Sequence, residues 1–404
     1  MKKFNINILL FVLAMLFVLA GFTVKYMNDL KYIIISFVVQ NEDAAEDLPA
    51  MLKEIDDITA KETRYHSIMM DVNSYSQRLL NIRLVQKSET GIIARTDCDS
   101  LVELQIRSFS DEDLEIITDK VAQLQDAAQK NDAEFLYIVA PRKTHAMDVP
   151  ENAVDYRKEN LATFMEKLDE KNINTLDLCE ILRAENRLNE SLYFKTDHHW
   201  KTEVGFWASG VICDELNARY GFDYDPAFTD LSNYDVTVYE DLFLGSYGKK
   251  VGQYFVPGGL DDFTLISPTF ETDFTVTDSN STQILNGDFS QTLLLMDKLN
   301  VTDYYRSNVY GVYRIDIGRQ QAIKNNLNTE GKKILIIEDS YGCVVTPFLA
   351  LNASDLHTID TRRLIKEDNI NIYDYMEQYD PDYVLVLYAG IEDVPDGYGR
   401  YDFG

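Results

Sequence analysis

The sequence predicts an α/β fold, with a mostly parallel β-sheet covered by helices on both faces. Two observations carry that expectation. Short apolar runs of strand length alternate with segments whose apolar residues recur at helical spacing, the pattern of strands joined by right-handed helical crossovers. One run, Ile334-Leu335-Ile336-Ile337, leads into Glu338-Asp339-Ser340-Tyr341-Gly342, so a serine sits just past a strand end. In open α/β sheets functional groups gather at the carboxyl ends of the strands.

The N-terminus stands apart from this pattern. Met1-Lys2-Lys3 precedes an apolar run over residues 8–24 that is closed by Lys25. A positive start before an apolar core marks an export signal or a membrane anchor, and the run is close to the roughly 20 residues that a membrane span needs. Val18-Leu19-Ala20 offers a small-residue cleavage site, which would make the protein secreted. Gly21 to Val24 continue the helix past it, so the expectation is an uncleaved anchor over residues 1–30 with the rest outside the cytoplasm. Residues 31–105 then form a juxtamembrane region, with a helix expected from Met69 to Leu80.

The α/β domain is expected over residues 106–404. Ser110 can cap a helix with Asp113 three residues on, and Leu114, Ile117, Val121, Leu124 and Ala128 follow at helical spacing. Residues 135–139 form a continuous apolar run ended by Pro141, as a buried parallel strand would. Leu161, Phe164, Met165 and Leu168 mark the next helix, residues 173–178 the next strand, and Val204, Trp207, Val211, Ile212 and Leu216 another helix. Between about 223 and 304 the pattern changes to alternating runs with turn residues, which predicts a β-rich insertion. The alternation then resumes: strand 333–337, helix 344–351, strand 356–359, helix 370–378 and strand 383–387.

Composition narrows the class of function. With 46% hydrophobic and 26% charged residues the chain is that of a folded domain. Its 67 acidic residues against 38 basic ones give a formal charge of -29. Such a field excludes nucleic acid as a partner, because phosphate binding needs clustered Lys and Arg. Cys98, Cys179, Cys213 and Cys343 show neither CxxC spacing nor a nearby His at metal-ligand intervals, which speaks against zinc. One disulfide would be compatible with export, but the apolar surroundings of Cys213 and Cys343 favour small buried hydrophobes.

The chemistry concentrates in two places. The first is Lys195-Thr196-Asp197-His198-His199-Trp200, which holds two of the five histidines and one of the two tryptophans. The second is Ser340. Asp, His and a strand-end Ser are the parts of a nucleophilic hydrolase or acyltransferase, the imidazole taking the serine proton while the carboxylate orients it. Each part has a plainer reading as well. Ser340 fits an ordinary helix N-cap, and Asp197 could cap the following helix while the histidines pack on Trp200. The Asp-His-His tripeptide also occurs in metal sites, but His66, His145 and His357 lie in no Asp-rich cluster, so a metal centre is not expected.

The block from Lys195 to Trp200, with Gly205 after it, resembles the hallmark of the DHHW proteins. These are similar to the SGNH hydrolase-like proteins that O-acetylate alginate and other exopolysaccharides. Further blocks agree in order: Leu136-Tyr137-Ile138-Val139-Ala140-Pro141-Arg142-Lys143, Phe243-Leu244-Gly245-Ser246-Tyr247, the Ser340 segment, and Ile359-Asp360-Thr361-Arg362. The resemblance covers roughly residues 70 to 390. It implies an SGNH-like fold and a triad of Ser340 as nucleophile, His199 as base and Asp197 as orienting acid. His198, Arg362, Tyr341 and Gly342 are the candidate substrate contacts. Glu338 stands where a Gly-Asp-Ser block has glycine. The resemblance further implies a glycan substrate, no cofactor, and a multi-pass membrane acyltransferase as a source of acyl groups. An esterase with the same triad, or a non-catalytic glycan-binding envelope protein, remain as alternatives.

Overall fold

The computed structural model describes residues 66–87, 91–278, 284–313, 320–361, 371–391 and 399–404. The chain divides into two compact units, Met1–Leu79 and Leu80–Gly404. In the first, the described residues form helix α1, His66–Leu79, close to the expected helix. The run at 8–24 falls outside the described residues, among which no helix is long and apolar enough to cross a membrane.

The second unit opens with a small antiparallel sheet of β1 (Leu84–Gln86), β2 (Ile92–Arg95) and β3 (Leu101–Leu104). Its core is an eight-stranded sheet whose strands lie in the order β5 (Thr175–Asp177), β4 (Glu134–Val139), β13 (Tyr383–Tyr388), β11 (Lys333–Glu338), β12 (Asp355–Ile359), β10 (Gln321–Asn325), β8 (Phe274–Asp278) and β9 (Ile284–Gly287). Strands β4, β5, β11, β12 and β13 pair in parallel, close to the expected strands.

The middles of β4, β11 and β13 are apolar without a break because the sheet is covered on both faces. Phe135, Tyr137, Val139, Leu335, Ile337, Val384 and Val386 pack on one side against α2 (Asp111–Lys130), α3 (Arg157–Glu170) and α4 (Ile372–Tyr379). Leu136, Ile138, Ile334, Ile336, Leu385 and Leu387 face the other side, toward Trp200 and the residues Val204, Ile212 and Leu216 of α5 (Thr202–Tyr220). Helix α2 starts at the capping box read from the sequence: Ser110 Oγ accepts from Asp113 N at 3.1 Å, and Ser110 N donates to Asp113 Oδ2 at 3.3 Å.

The sheet is mixed rather than mostly parallel. β10, β8 and β9 extend it beyond β12 with antiparallel pairing. Part of the β-rich insertion therefore belongs to the main sheet, while β6 (Tyr234–Phe243) and β7 (Asp261–Pro268) form a separate two-stranded ladder. β10, Gln-Ala-Ile-Lys-Asn, carries too little apolar character to be read as a strand; its neighbours on both sides create it. The helix expected at 344–351 shortens to a 3₁₀ turn, Gly342–Val344, and one helical turn, Thr346–Leu349, with Pro347 near its start. None of the four cysteines is in a disulfide. Cys179, Cys213 and Cys343 are buried, and burial pushes the Cys179 thiol up to about 11.

Candidate active site

Strand β11 delivers Ser340 to the carboxyl end of the parallel sheet, on a turn pinned by Asp339. The Asp339 N–H donates to Leu387 O of β13 at 3.2 Å. Its carboxylate accepts from Tyr341 N at 3.0 Å, from Ala389 N at 3.0 Å and from the Arg400 guanidinium at 2.9 Å. That buried ion pair fixes the serine from behind. Glu338, at the glycine position of a Gly-Asp-Ser block, tucks its carboxyl under the same turn and accepts from Thr346 Oγ1 at 2.6 Å. Burial, with Asp360 and Asp339 adding to it, pushes this carboxyl up to about 8. A Cβ on Gly342 would lie 1.9 Å from Glu338 Oε2, so the glycine is needed for space. Its φ is not positive, so the turn needs the missing side chain rather than a left-handed backbone.

The histidine loop approaches from the other side. An antiparallel bridge between Tyr193 and Trp200 closes it at the base. The Lys143 ammonium fills the loop and donates to the carbonyls of Phe194 (2.7 Å), Lys195 (3.1 Å) and Asp197 (2.8 Å). Burial pushes Lys143 down to about 7, with Asp261 and Asp197 opposing. Three carbonyl acceptors use all three protons of the ammonium, so the geometry is that of the charged form. Asp261, at the start of β7, accepts from Lys195 N (2.6 Å), Thr196 N (2.8 Å) and Thr196 Oγ1 (2.6 Å). β3 contributes Leu101 N, which donates to Lys195 O at 2.8 Å.

The two segments meet. His199 Nε2 lies 2.7 Å from Ser340 Oγ, and His199 Nδ1 lies 2.5 Å from Asp197 Oδ1. Asp197 Oδ1 also accepts from His199 N at 3.0 Å, and Oδ2 accepts from Ser246 N. Burial works against the Asp197 carboxylate, but His198, His199 and the Ser246 N–H outweigh it and hold the group well below the usual carboxylate range. Gly245 makes this approach possible, since a Cβ there would lie 2.2 Å from Asp197 Cβ. Gly205 does the same where α5 crosses the turn after Ser340, with a Cβ falling 2.3 Å from Val344 Cγ2. Two links stitch the segments together: Trp200 Nε1 donates to Tyr341 O at 3.2 Å, and Tyr341 OH donates to His198 O.

Among the candidate substrate contacts, His198 is the most accessible, its side chain 31% exposed with Nδ1 2.9 Å from Ser246 Oγ. Tyr341 and Gly342 are buried, and Arg362 lies outside the described residues. The potential ligand atoms of Asp197, His198 and His199 fall within 4.8 Å of one another. His199 already uses both ring nitrogens, on Asp197 and on Ser340, so a metal bound there would displace one of these bonds. Tyr310 was not legible as a site residue. It lies in the 3₁₀ turn Tyr310–Val312, and its ring stacks on His199 at 3.9 Å and 12°. A cavity of about 290 Å³ lined in part by Tyr224, Phe228 and Phe270 opens at the amino ends of β11 and β12, away from the triad.

Residues 103–226 match the family model described as the SGNH hydrolase-like domain of acetyltransferase AlgX. The matched span contains Asp197 and His199 and ends before Ser340. No curated protein matches the chain in sequence. Among solved structures, Bacillus cereus PatB1 with a sulfonyl adduct shares 19% identity and a TM-score of 0.62, covering 80% of this chain and 99% of its own. PatB1 without the adduct shares 18% identity with a TM-score of 0.60, over 78% of this chain and 100% of its own. A DHHW family protein from Eubacterium siraeum shares 20% identity with a TM-score of 0.55, over 76% of this chain and 93% of its own. Residues 103–226 are thus similar to the SGNH hydrolase-like domain of acetyltransferase AlgX, in a chain whose fold is similar to that of PatB1 and the Eubacterium siraeum DHHW family protein.

Proposed function

We propose that this protein transfers an acyl group, most simply acetyl, onto hydroxyls of a cell-surface or secreted glycan, with Ser340, His199 and Asp197 as its triad. The observation that carries the reading is the unbroken line of short contacts from Asp197 through His199 to Ser340. The match to an acetyltransferase family model supports the choice of acyl chemistry.

In this mechanism Ser340 Oγ attacks the donor carbonyl carbon while His199 Nε2 takes its proton. Asp197 holds Nδ1–H and stabilises the imidazolium that forms. The donor oxygen leaves with the proton from His199, and the acyl group stays on Ser340 as an ester. A sugar hydroxyl then attacks that ester, passes its proton to His199 and departs acylated, which returns Ser340 to the free alcohol. If water replaces the sugar, the same steps make the protein an esterase.

The charged start and apolar run at residues 8–24 support a body anchored at the membrane and lying outside the cytoplasm. Soluble acyl-CoA is absent there, which favours a membrane acyltransferase as donor. Deleting the gene should lower the O-acetyl content of a surface or secreted glycan. A rise in that content would identify an esterase instead.

A further inference from the structure

The in-plane contacts of His199 are accounted for by Asp197 and Ser340; the His198 and Tyr341 rings lie tilted against its ring at 3.7 Å and 5.3 Å, and one face of it is covered flat by Tyr310. The two rings are nearly parallel, 12° apart with centroids at 3.9 Å. Tyr310 is 2% exposed and is itself held edge-on by Phe194 at 6.2 Å and 89°. Its hydroxyl is buried without a hydrogen-bond partner among the described residues. A buried hydroxyl left unpaired destabilises a fold, so the residue's value at this place lies in its ring.

We infer that Tyr310 is a positioning residue for His199, acting through the face of its ring. The inference rests on the reading of His199 as the base for Ser340. Asp197 restrains the imidazole within its plane, and Tyr310 restrains it out of plane, which keeps Nε2 on Ser340 Oγ. When His199 takes the serine proton, a positive charge appears in a nearly water-free setting, and the electron-rich face of the phenol attracts it. The contact therefore strengthens as the imidazolium forms, which lowers the barrier rather than merely holding the ground state.

The test uses the full chain, a small ester such as p-nitrophenyl acetate, and rates followed against pH. Tyr310→Leu should lower kcat about tenfold with KM nearly constant, and move the acid limb of kcat/KM to lower pH. Tyr310→Phe keeps the ring and should restore most of the rate and the position of the limb, with a melting temperature no lower than wild type. Wild-type kcat and an unmoved limb in Tyr310→Leu would overturn the inference. So would a Tyr310→Phe as impaired as Tyr310→Leu, which would place the hydroxyl on substrate. Should the leucine variant fail to fold, pentafluorophenylalanine introduced at position 310 keeps the packing but reverses the charge of the ring face. It should lower kcat and shift the limb, and no change would overturn the inference. Ser340→Ala is measured in parallel: equal turnover by it and wild type would defeat the triad reading. In that case NMR of the His199 ring signals against pH still tests Tyr310, whose Tyr310→Leu variant should titrate at lower pH.

Discussion

The two segments that meet at the site are built differently. The Ser340 turn is the end of a buried strand, and its sequence neighbours Glu338, Asp339, Tyr341, Gly342 and Thr346 hold it from within, with Leu387, Ala389 and Arg400 anchoring Asp339 from outside. The Asp197–His199 loop has few local supports. It is held by Lys143, Asp261, Gly245 and Ser246, which lie 49 or more positions away from the loop residues they bind. A nucleophile can thus be placed by strand geometry, whereas the base and acid need a scaffold assembled from the rest of the fold.

The largest effects should come from the reacting groups at the junction. Ser340→Ala should abolish turnover, and His199→Ala should reduce it about a hundred- to ten-thousand-fold. His198→Ala removes a ring whose Nδ1 lies on Ser246 Oγ at 2.9 Å, whereas His199 Nε2 is the nitrogen on Ser340 Oγ, so the variant should retain a measurable fraction. The reverse ranking of the histidines would move the base to His198 and break the triad. EDTA belongs in the same assay: loss of activity that manganese or zinc restores would revive a metal role for Asp197, His198 and His199.

A smaller effect tests the scaffold itself. Lys143→Met removes the donor shared by three carbonyls, of which Lys195 O keeps Leu101 N while Phe194 O and Asp197 O are left buried without it, which should cost about 3 kcal/mol of stability and lower kcat through a displaced Asp197. Thermal melting and kinetics on one preparation would measure both. A variant of wild-type stability and rate would show that the loop holds itself, and the contrast between the two segments would disappear.

The smallest effect concerns the turn. Glu338 titrates near 8 in the fold against an ordinary value of 4.5. Between those pH values the native protein keeps a proton that the unfolded chain has shed, so stability falls as pH rises from about 4.5 to about 8 and then levels off. Glu338→Gln can keep the bond from Thr346 and removes this slope. Its melting temperature should exceed that of wild type by about 3 °C at pH 8 and by least near pH 4. Equal differences at both pH values would show that Glu338 is ionised in the native state.

Legibility followed the same division. Parallel strands buried on both faces leave unbroken apolar runs, so β4, β11 and β13 could be read directly, as could the capping box at Ser110, while β12 was read from its place in the alternation. Asp197, His199 and Ser340 stood out through residue type and strand-end position. Lys143 lay in one of the blocks that carried the resemblance but drew no role there, and Asp261 and Tyr310 did not stand out at all, because a carboxylate at a strand start and a tyrosine in a short turn carry no local pattern. Their partners are supplied by the fold. β10 escaped for a related reason: its partners β12 and β8 make it a strand, and its own residues do not announce one. Glu338 looked like a departure from a glycine, whereas its carboxyl fills the space that Gly342 leaves open.

The central claim is that Ser340 carries the acyl group between donor and acceptor. Mass spectrometry of protein quenched during turnover of an acetyl ester tests it most directly. The account predicts one added acetyl group on the peptide containing Ser340, accumulating when acceptor is withheld and lost when a sugar acceptor is supplied. Turnover that proceeds with no acetyl on Ser340, or with the acetyl on another residue, would contradict it.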